Sequence, residues 1–236
     1  MNSSTAEAGV ARQARQGRRR TPSIDATAPD YLVLSHMTRW MEEKGVPELR
    51  PGPLLDYGCG GQPFRGMVEP HVAGYAAVDV EPVPGVRIDH IIGPGDPLPY
   101  GAGEFATVLS TQVLEHVADP ARYLDECARV LQPQGRLILF APMQWRHHEV
   151  PWDYWRFTRF GLALALERAG FAVLTIDPCG GCFTLIGQIL LNHLWEKRLV
   201  RRPWIYRRLN GLFSYLDRRY PDPDETVNWM CLAEKK

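Results

Sequence analysis

The chain has 236 residues, 45% of them hydrophobic, and its 27 basic and 27 acidic side chains cancel to a formal net charge of zero. That length and apolar content suit one α/β domain with a sizeable core, and the charge balance argues against nucleic acid and against an acidic membrane as partners. Five cysteines (Cys59, Cys127, Cys179, Cys182 and Cys231) make no even disulfide framework, which points to a reducing cytoplasm, and no apolar run reaches membrane-spanning length.

Residues 1–25 are polar, with Arg12, Arg15, Arg18, Arg19 and Arg20 making them basic. A disordered tail without a signal-peptide core is expected there, followed by a single domain over residues 26–236. Between Asp30 and Lys44, the residues Leu32, Val33, Met37, Trp40 and Met41 fall at near-helical spacing, and Gly45 and Pro47 end that helix. Short strands are expected over Pro53–Tyr57 and Gly74–Val80, with a helix of two or three turns from near Phe64 between them. A third strand follows at Arg87–Ile92, then a Pro/Gly-rich loop from Pro94 to Gly103, then a fourth strand at Phe105–Ser110.

Asp119 and Pro120 read as the N-cap and first residue of a helix whose apolar face includes Tyr123, Leu124, Cys127, Val130 and Leu131, so Cys127 is core. Pro133-Gln134-Gly135 breaks it ahead of a fifth strand at Arg136–Ala141. Thr158 caps a helix that ends at Gly170, and a sixth strand follows at Phe171–Ile176. Cys179-Gly180-Gly181-Cys182 lacks the second cysteine pair of a zinc site and reads as a tight loop. Apolar Phe183–Leu194, basic Lys197–Arg208 and apolar Leu209–Leu216 fit two helices joined near Arg202-Pro203, a helical insertion over about 180–222. Thr226–Ala233 reads as the last strand.

The chemistry is concentrated in Leu54-Leu55-Asp56-Tyr57-Gly58-Cys59-Gly60-Gly61. A buried strand ends in an acid, and glycines let the chain turn sharply and let a ligand approach the backbone. Asp79 follows, near the end of the next strand, about 20 residues on, the spacing at which an acid binds a ribose hydroxyl. G-x-G-x-x-G is absent, which argues against a nicotinamide enzyme.

The ordered set Leu-Asp-x-Gly-Cys-Gly, Val78-Asp79, Leu98-Pro99, Val113-Leu114-Glu115-His116-Val117 and Arg129-Val130-Leu131-Gln132-Pro133 resembles a class I S-adenosylmethionine-dependent methyltransferase. It is most similar to the small-molecule branch with the quinone-biosynthesis enzymes, over about residues 53–171. The resemblance implies a Rossmann-like α/β fold: a mostly parallel seven-stranded sheet with helices on both faces and the last strand antiparallel. It implies S-adenosylmethionine as cofactor, held by Asp56, Gly58, Cys59, Gly60, Asp79, Val80, Asp96, Leu98, Thr111, Gln112 and His116. The usual third glycine of the family falls at Gln62.

A loop over residues 142–158 follows the fifth strand. Its pattern His-x-x-Pro-x-Asp-Tyr-Trp-Arg-Phe-Thr resembles a subgroup acting on sugars, lipid-linked glycans or natural products. His147 and His148 are the candidate bases, because imidazole titrates near working pH. Tyr31, His36, Trp145, Asp153, Tyr154 and Arg156 are the candidate acceptor-binding residues, and no metal is expected. The expected partner is a small-molecule acceptor, with hydroxyl or amine nucleophile; a homodimer is compatible with the helical insertion. Two alternatives stay open: a non-catalytic cofactor-binding protein, and a membrane-surface methyltransferase acting on a lipid-linked acceptor through residues 183–216.

Overall fold

The computed structural model describes residues 24–236, so the expected basic tail lies almost wholly outside the described residues. Seven strands form one sheet: β1 (Pro53–Tyr57), β2 (Gly74–Asp79), β3 (His90–Ile91), β4 (Phe105–Thr111), β5 (Leu131–Pro142), β6 (Phe171–Pro178) and β7 (Asn228–Lys235). Their order is β3-β2-β1-β4-β5-β7-β6. The first five strands run parallel, and β7 inserts antiparallel between β5 and β6. The chain passes to one side of β1 for β2 and to the other for β4, which opens a crevice at their carboxyl ends.

Among the described residues six α-helices flank the sheet: α1 (Tyr31–Trp40), α2 (Arg65–Val68), α3 (Pro120–Val130), α4 (Arg159–Arg168), α5 (Cys182–Glu196) and α6 (Pro203–Arg219). Successive strand residues point to opposite faces, and the central strands are apolar at both parities. Leu55, Val108, Leu137 and Leu139 pack with Tyr123, Leu124 and Cys127 of α3 and Leu162 and Leu166 of α4. Leu54, Leu109, Ile138 and Phe140 meet Val33, Met37 and Trp40 of α1 on the other face.

Two expected helix starts are capped as the sequence suggests. Asp119 Oδ1 accepts from the Arg122 amide at 3.1 Å, and Thr158 Oγ1 from the Gly161 amide at 3.0 Å. Other elements differ. α2 is a single α-turn followed by a 3-10 turn at Glu69–His71, and β3 keeps only two paired residues. α1 continues past Trp40 as a wider π-turn over Met41–Gly45. β5 begins directly at Leu131, because Gln134 takes a left-handed backbone (φ 62°) and a register shift opposite Phe105/Thr107 absorbs the Pro-Gln-Gly break.

α5 and α6 form the expected helical pair. Asp217 of α6 caps α5 from outside it, accepting the amides of Gly181 at 3.1 Å and Thr184 at 2.9 Å. Cys179-Gly180-Gly181-Cys182 is thus the turn into α5, with Cys179 buried and its thiol directed at the Val33 carbonyl at 3.6 Å. No helix among the described residues is long and apolar enough to cross a membrane.

Candidate functional site

The carboxyl end of β1 turns through Gly58 and Gly60, with left-handed φ of 76° and 48°. The Gly58 and Cys59 amides donate to the Val78 carbonyl at 2.8 and 3.1 Å, so the turn folds over the end of β2. A Cβ at position 58 would stand 2.5 Å from Val113 Cγ2, whereas one at position 60 would meet open space. Gly58 is therefore required for packing, and Gly60 leaves room above the turn. The Gly60 amide donates to Asp79 Oδ2 at 2.7 Å, and the Val80 amide to Asp79 Oδ1 at 2.7 Å, which orients that carboxylate at the crevice. Val80 itself is exposed.

The absent third glycine is replaced in kind. Gln62 adopts φ 55°, the backbone that glycine would supply, and its buried side chain donates to the Arg87 carbonyl and accepts from Arg65 Nη1 at 3.0 Å. These bonds offset the cost of a left-handed non-glycine residue.

Asp56 is buried beneath the turn, where Tyr75 Oη donates to its Oδ2. Burial pushes its carboxyl up to about 7, against the lowering effect of the Tyr75 hydrogen bond. Cys59 is also buried, and burial raises its thiol above the ordinary range. Both belong to the wall of the turn rather than its open side. Leu98, expected at adenine, packs into the core formed with α3 and α4, its amide held by Glu126 Oε2 at 3.0 Å. Asp96 is exposed and accepts the Gly93 amide at 2.9 Å.

At the end of β4, Thr111 is half-buried and Gln112 takes φ 57°. Gln112 Nε2 is buried without a hydrogen-bond partner among the described residues. An unsatisfied buried donor costs about 1–3 kcal/mol and calls for a ligand acceptor. Glu115 and His116 follow in a 3-10 turn. Glu115 is fully buried, neither carboxylate oxygen has a hydrogen-bond partner among the described residues, and burial pushes its pKa up to about 8.

The loop after β5 is fastened at several points. The Tyr154 and Trp155 amides donate to the Glu115 carbonyl at 2.9 and 3.2 Å, and Trp155 Nε1 to the Val117 carbonyl at 2.8 Å. Arg156 Nη1 and Nη2 grip Asp153 Oδ1 and Oδ2 at 2.7 and 2.9 Å, and Nη2 also donates to the Trp145 and Arg146 carbonyls. Burial alone would raise the Asp153 carboxyl, but Arg156 and the His148 amide outweigh it and hold the group well below the usual carboxylate range. Asp153 and Arg156, expected to meet an acceptor, are thus engaged with each other and with the loop backbone.

The two histidines separate. The His147 side chain is 90% exposed, with Nδ1 3.3 Å from Asp153 Oδ2. The His148 side chain is only 8% exposed, between Glu115 and Asp153. Trp145 and Arg156 line a cleft of about 510 Å³ between this loop and α5, together with Met143, Leu185, Gln188 and Ile189. Tyr154 is exposed. Tyr31 and His36 do not line this cleft: Tyr31 packs against the Leu32, Leu191 and Tyr206 cluster, and His36 Nε2 lies 3.3 Å from Thr184 Oγ1 and 3.7 Å from Asp217. Burial, opposed by Asp217, lowers the His36 pKa.

Glu115 and Gln62 are the residues whose part the sequence understated. An acid inside the apolar Val113-Leu114-Glu115-His116-Val117 run was the available signal for the first; a glutamine in a glycine position was the signal for the second.

Residues 55–139 match the family model described as a methyltransferase domain. A ubiquinone biosynthesis O-methyltransferase of Xylella fastidiosa is 32% identical over 108 residues, 41% of this chain and 44% of that protein. The chain therefore matches less than half the length of that relative. Among solved structures, 1,6-didemethyltoxoflavin-N1-methyltransferase of Burkholderia thailandensis, with bound 1,6-didemethyltoxoflavin and S-adenosylhomocysteine, is similar at TM-score 0.58 and 17% identity, over 99% of this chain and 88% of that one. The [4+2]-cyclase SpnF is similar at TM-score 0.56 and 19% identity, over 86% of this chain and 80% of that one. These structural likenesses concern the fold, which hosts more than one chemistry.

Proposed function

We propose that this chain, whose residues 55–139 are a methyltransferase domain of the class I S-adenosylmethionine-dependent type, transfers a methyl group from that cofactor to a small-molecule acceptor. The observation that carries the reading is the Gly60–Asp79 contact at the crevice between β1 and β4. It joins an open glycine turn to a carboxylate suited to a ribose diol. The orphaned Gln112 Nε2 supports it, as a donor for the carboxylate of the cofactor's amino-acid part.

When bound, S-adenosylmethionine supplies a methyl carbon activated by a sulfonium, which an acceptor lone pair takes in line as the C–S electron pair leaves on sulfur. Asp79 would hold the ribose, and the Gly58–Gly60 turn would receive the cofactor against its backbone. Met143, Trp145, Leu185, Gln188 and Ile189 would enclose the acceptor, in a volume usual for small-molecule sites. For a hydroxyl acceptor, His147 is the favoured base: its ring is open to an incoming molecule, and Asp153 orients its Nδ1. His148 is enclosed and less suited to exchange a proton with an acceptor.

Calorimetric titration with S-adenosylmethionine and S-adenosylhomocysteine, wild type against Asp79→Ala, tests the cofactor site. Losing a charged hydrogen-bond partner should weaken binding by roughly 10–100-fold. Unchanged binding would place the ribose elsewhere. Cofactor binding without methyl uptake by any screened acceptor would favour the non-catalytic alternative.

A second reading, a lipid-linked acceptor at a membrane surface, is supported by exposed Ile186, Ile189, Trp195, Leu199 and Trp204 beside the basic run Lys197, Arg198, Arg201 and Arg202. Failure to float with anionic vesicles would remove it.

A further inference from the structure

Three side chains from two separate segments converge beside the crevice with their ligating atoms turned toward one another. Glu115 and His116 come from the turn after β4, and His148 from the loop after β5. His116 Nε2 lies 3.9 Å, and His148 Nε2 3.8 Å, from the same oxygen, Glu115 Oε1. One ligating atom from each of the three lies within 4.8 Å of the other two. Glu149 Oε2 stands 3.8 Å from His116 Nε2, within reach as a fourth donor.

The far side of each imidazole faces an oxygen acceptor. His116 Nδ1 is 2.9 Å from the Trp152 carbonyl, which fixes the tautomer with the proton on Nδ1 and leaves the Nε2 lone pair facing Glu115. His148 Nδ1 lies 3.5 Å from Asp153 Oδ1, an ion-pair distance longer than the His116 hydrogen bond. Metal-binding histidines carry this kind of outer support, a carbonyl or carboxylate on the nitrogen away from the ion. The two rings pack edge to face, with centroids 4.6 Å apart. At the centre, Glu115 is fully buried and both its oxygens are without a hydrogen-bond partner among the described residues. A carboxylate so placed is costly unless a cation or donors meet it.

We propose that Glu115, His116 and His148 bind one divalent transition-metal ion, zinc being the probe of choice, and that the ion clasps the loop after β5 to the end of β4. Two imidazoles and a carboxylate are a borderline nitrogen and oxygen donor set, suited to zinc, manganese or ferrous iron rather than to calcium. Bonds of about 2.0–2.2 Å require the ligand atoms to close to roughly 3.4 Å, an inward shift of about half an ångström. The assignment differs from the sequence expectation of no metal, because His148 comes from a different loop from the adjacent Glu115 and His116. It does not depend on the methyltransferase reading.

The test uses full-length protein stripped with a chelator and dialysed, then titrated with Zn2+ and with Mn2+ by calorimetry and followed by thermal melting. One equivalent of Zn2+ should bind, and at about a hundred times Kd the Tm should rise by roughly 5–10 °C. Glu115→Gln should weaken binding at least ~100-fold while melting no lower than wild type in metal-free buffer, since the amide is neutral and keeps the shape of the buried group. His148→Ala should also abolish the thermal shift. Cys182→Ser, in the cysteine turn, should bind like wild type. S-adenosylhomocysteine binding, measured on the same samples, separates failure of this site from failure of the cofactor site. No binding of either ion by wild type would overturn the proposal, as would unchanged binding by Glu115→Gln, or loss of binding in Cys182→Ser.

Discussion

Arg156 holds both oxygens of Asp153, at 2.7 and 2.9 Å, inside a loop whose other end carries His147 and His148. The carboxylate is 3% exposed as a side chain and the guanidinium 26%, so the pair is largely withdrawn from water. The same two groups reach the backbone of Trp145, Arg146 and His148. The pair ties the two ends of the loop together.

Removing Arg156 leaves that buried carboxylate with only the His148 amide and the two nearby imidazoles, which costs up to about 3–5 kcal/mol. Arg156→Ala should lower Tm by several degrees, and Arg156→Lys should recover only part of the loss, since an ammonium cannot make the two-point contact. Because the folded Asp153 pKa is depressed, its contribution is complete above the ordinary aspartate range and is lost as pH falls below about 4. Melting wild type and Arg156→Ala from pH 3 to 7 should show the two curves converging at the acid end.

Asp56 has the opposite sign. Its folded pKa is raised to about 7, so the native state keeps a proton that the unfolded chain releases near pH 4. Stability from this group is full below that range and falls as pH rises through 7. Asp56→Asn should therefore gain Tm relative to wild type at pH 8 and show little difference at pH 4. Parallel melts of the cofactor-free proteins check this.

The two glycines of the β1 turn should separate stability from binding. Gly58→Ala combines φ 76° with a 2.5 Å approach to Val113 and should destabilise by about 1–3 kcal/mol. Gly60→Ala faces open space and should cost about 1 kcal/mol or less, yet its methyl group would enter the space proposed for the cofactor. Thermal melts together with S-adenosylhomocysteine titration should find Gly58→Ala chiefly unstable and Gly60→Ala chiefly deficient in binding.

Asp217 caps α5 from α6, so Asp217→Ala should act on both helices. Loss of a cap costs about 0.5–2 kcal/mol, and the buried amides of Gly181 and Thr184 lose their acceptor. Hydrogen exchange should speed up at the start of α5 more than in β4 or β5.

What the sequence by itself determined is local. The caps at Asp119 and Thr158 and the core role of Cys127 each depend on residues a few positions apart. The ordered glycine and acid motifs placed the turn at Gly58 and the acid at Asp79, since a strand must end there and a parallel neighbour must follow. Tertiary structure alone decided which distant side chains meet. It buried Asp56 against Tyr75, gave Gln62 a glycine's backbone, drew His36 to Thr184 and Asp217, and brought His148 to Glu115. Periodicity and capping are written over one or two turns of chain, whereas these encounters depend on strand order and loop fastening, and no spacing in the sequence encodes them.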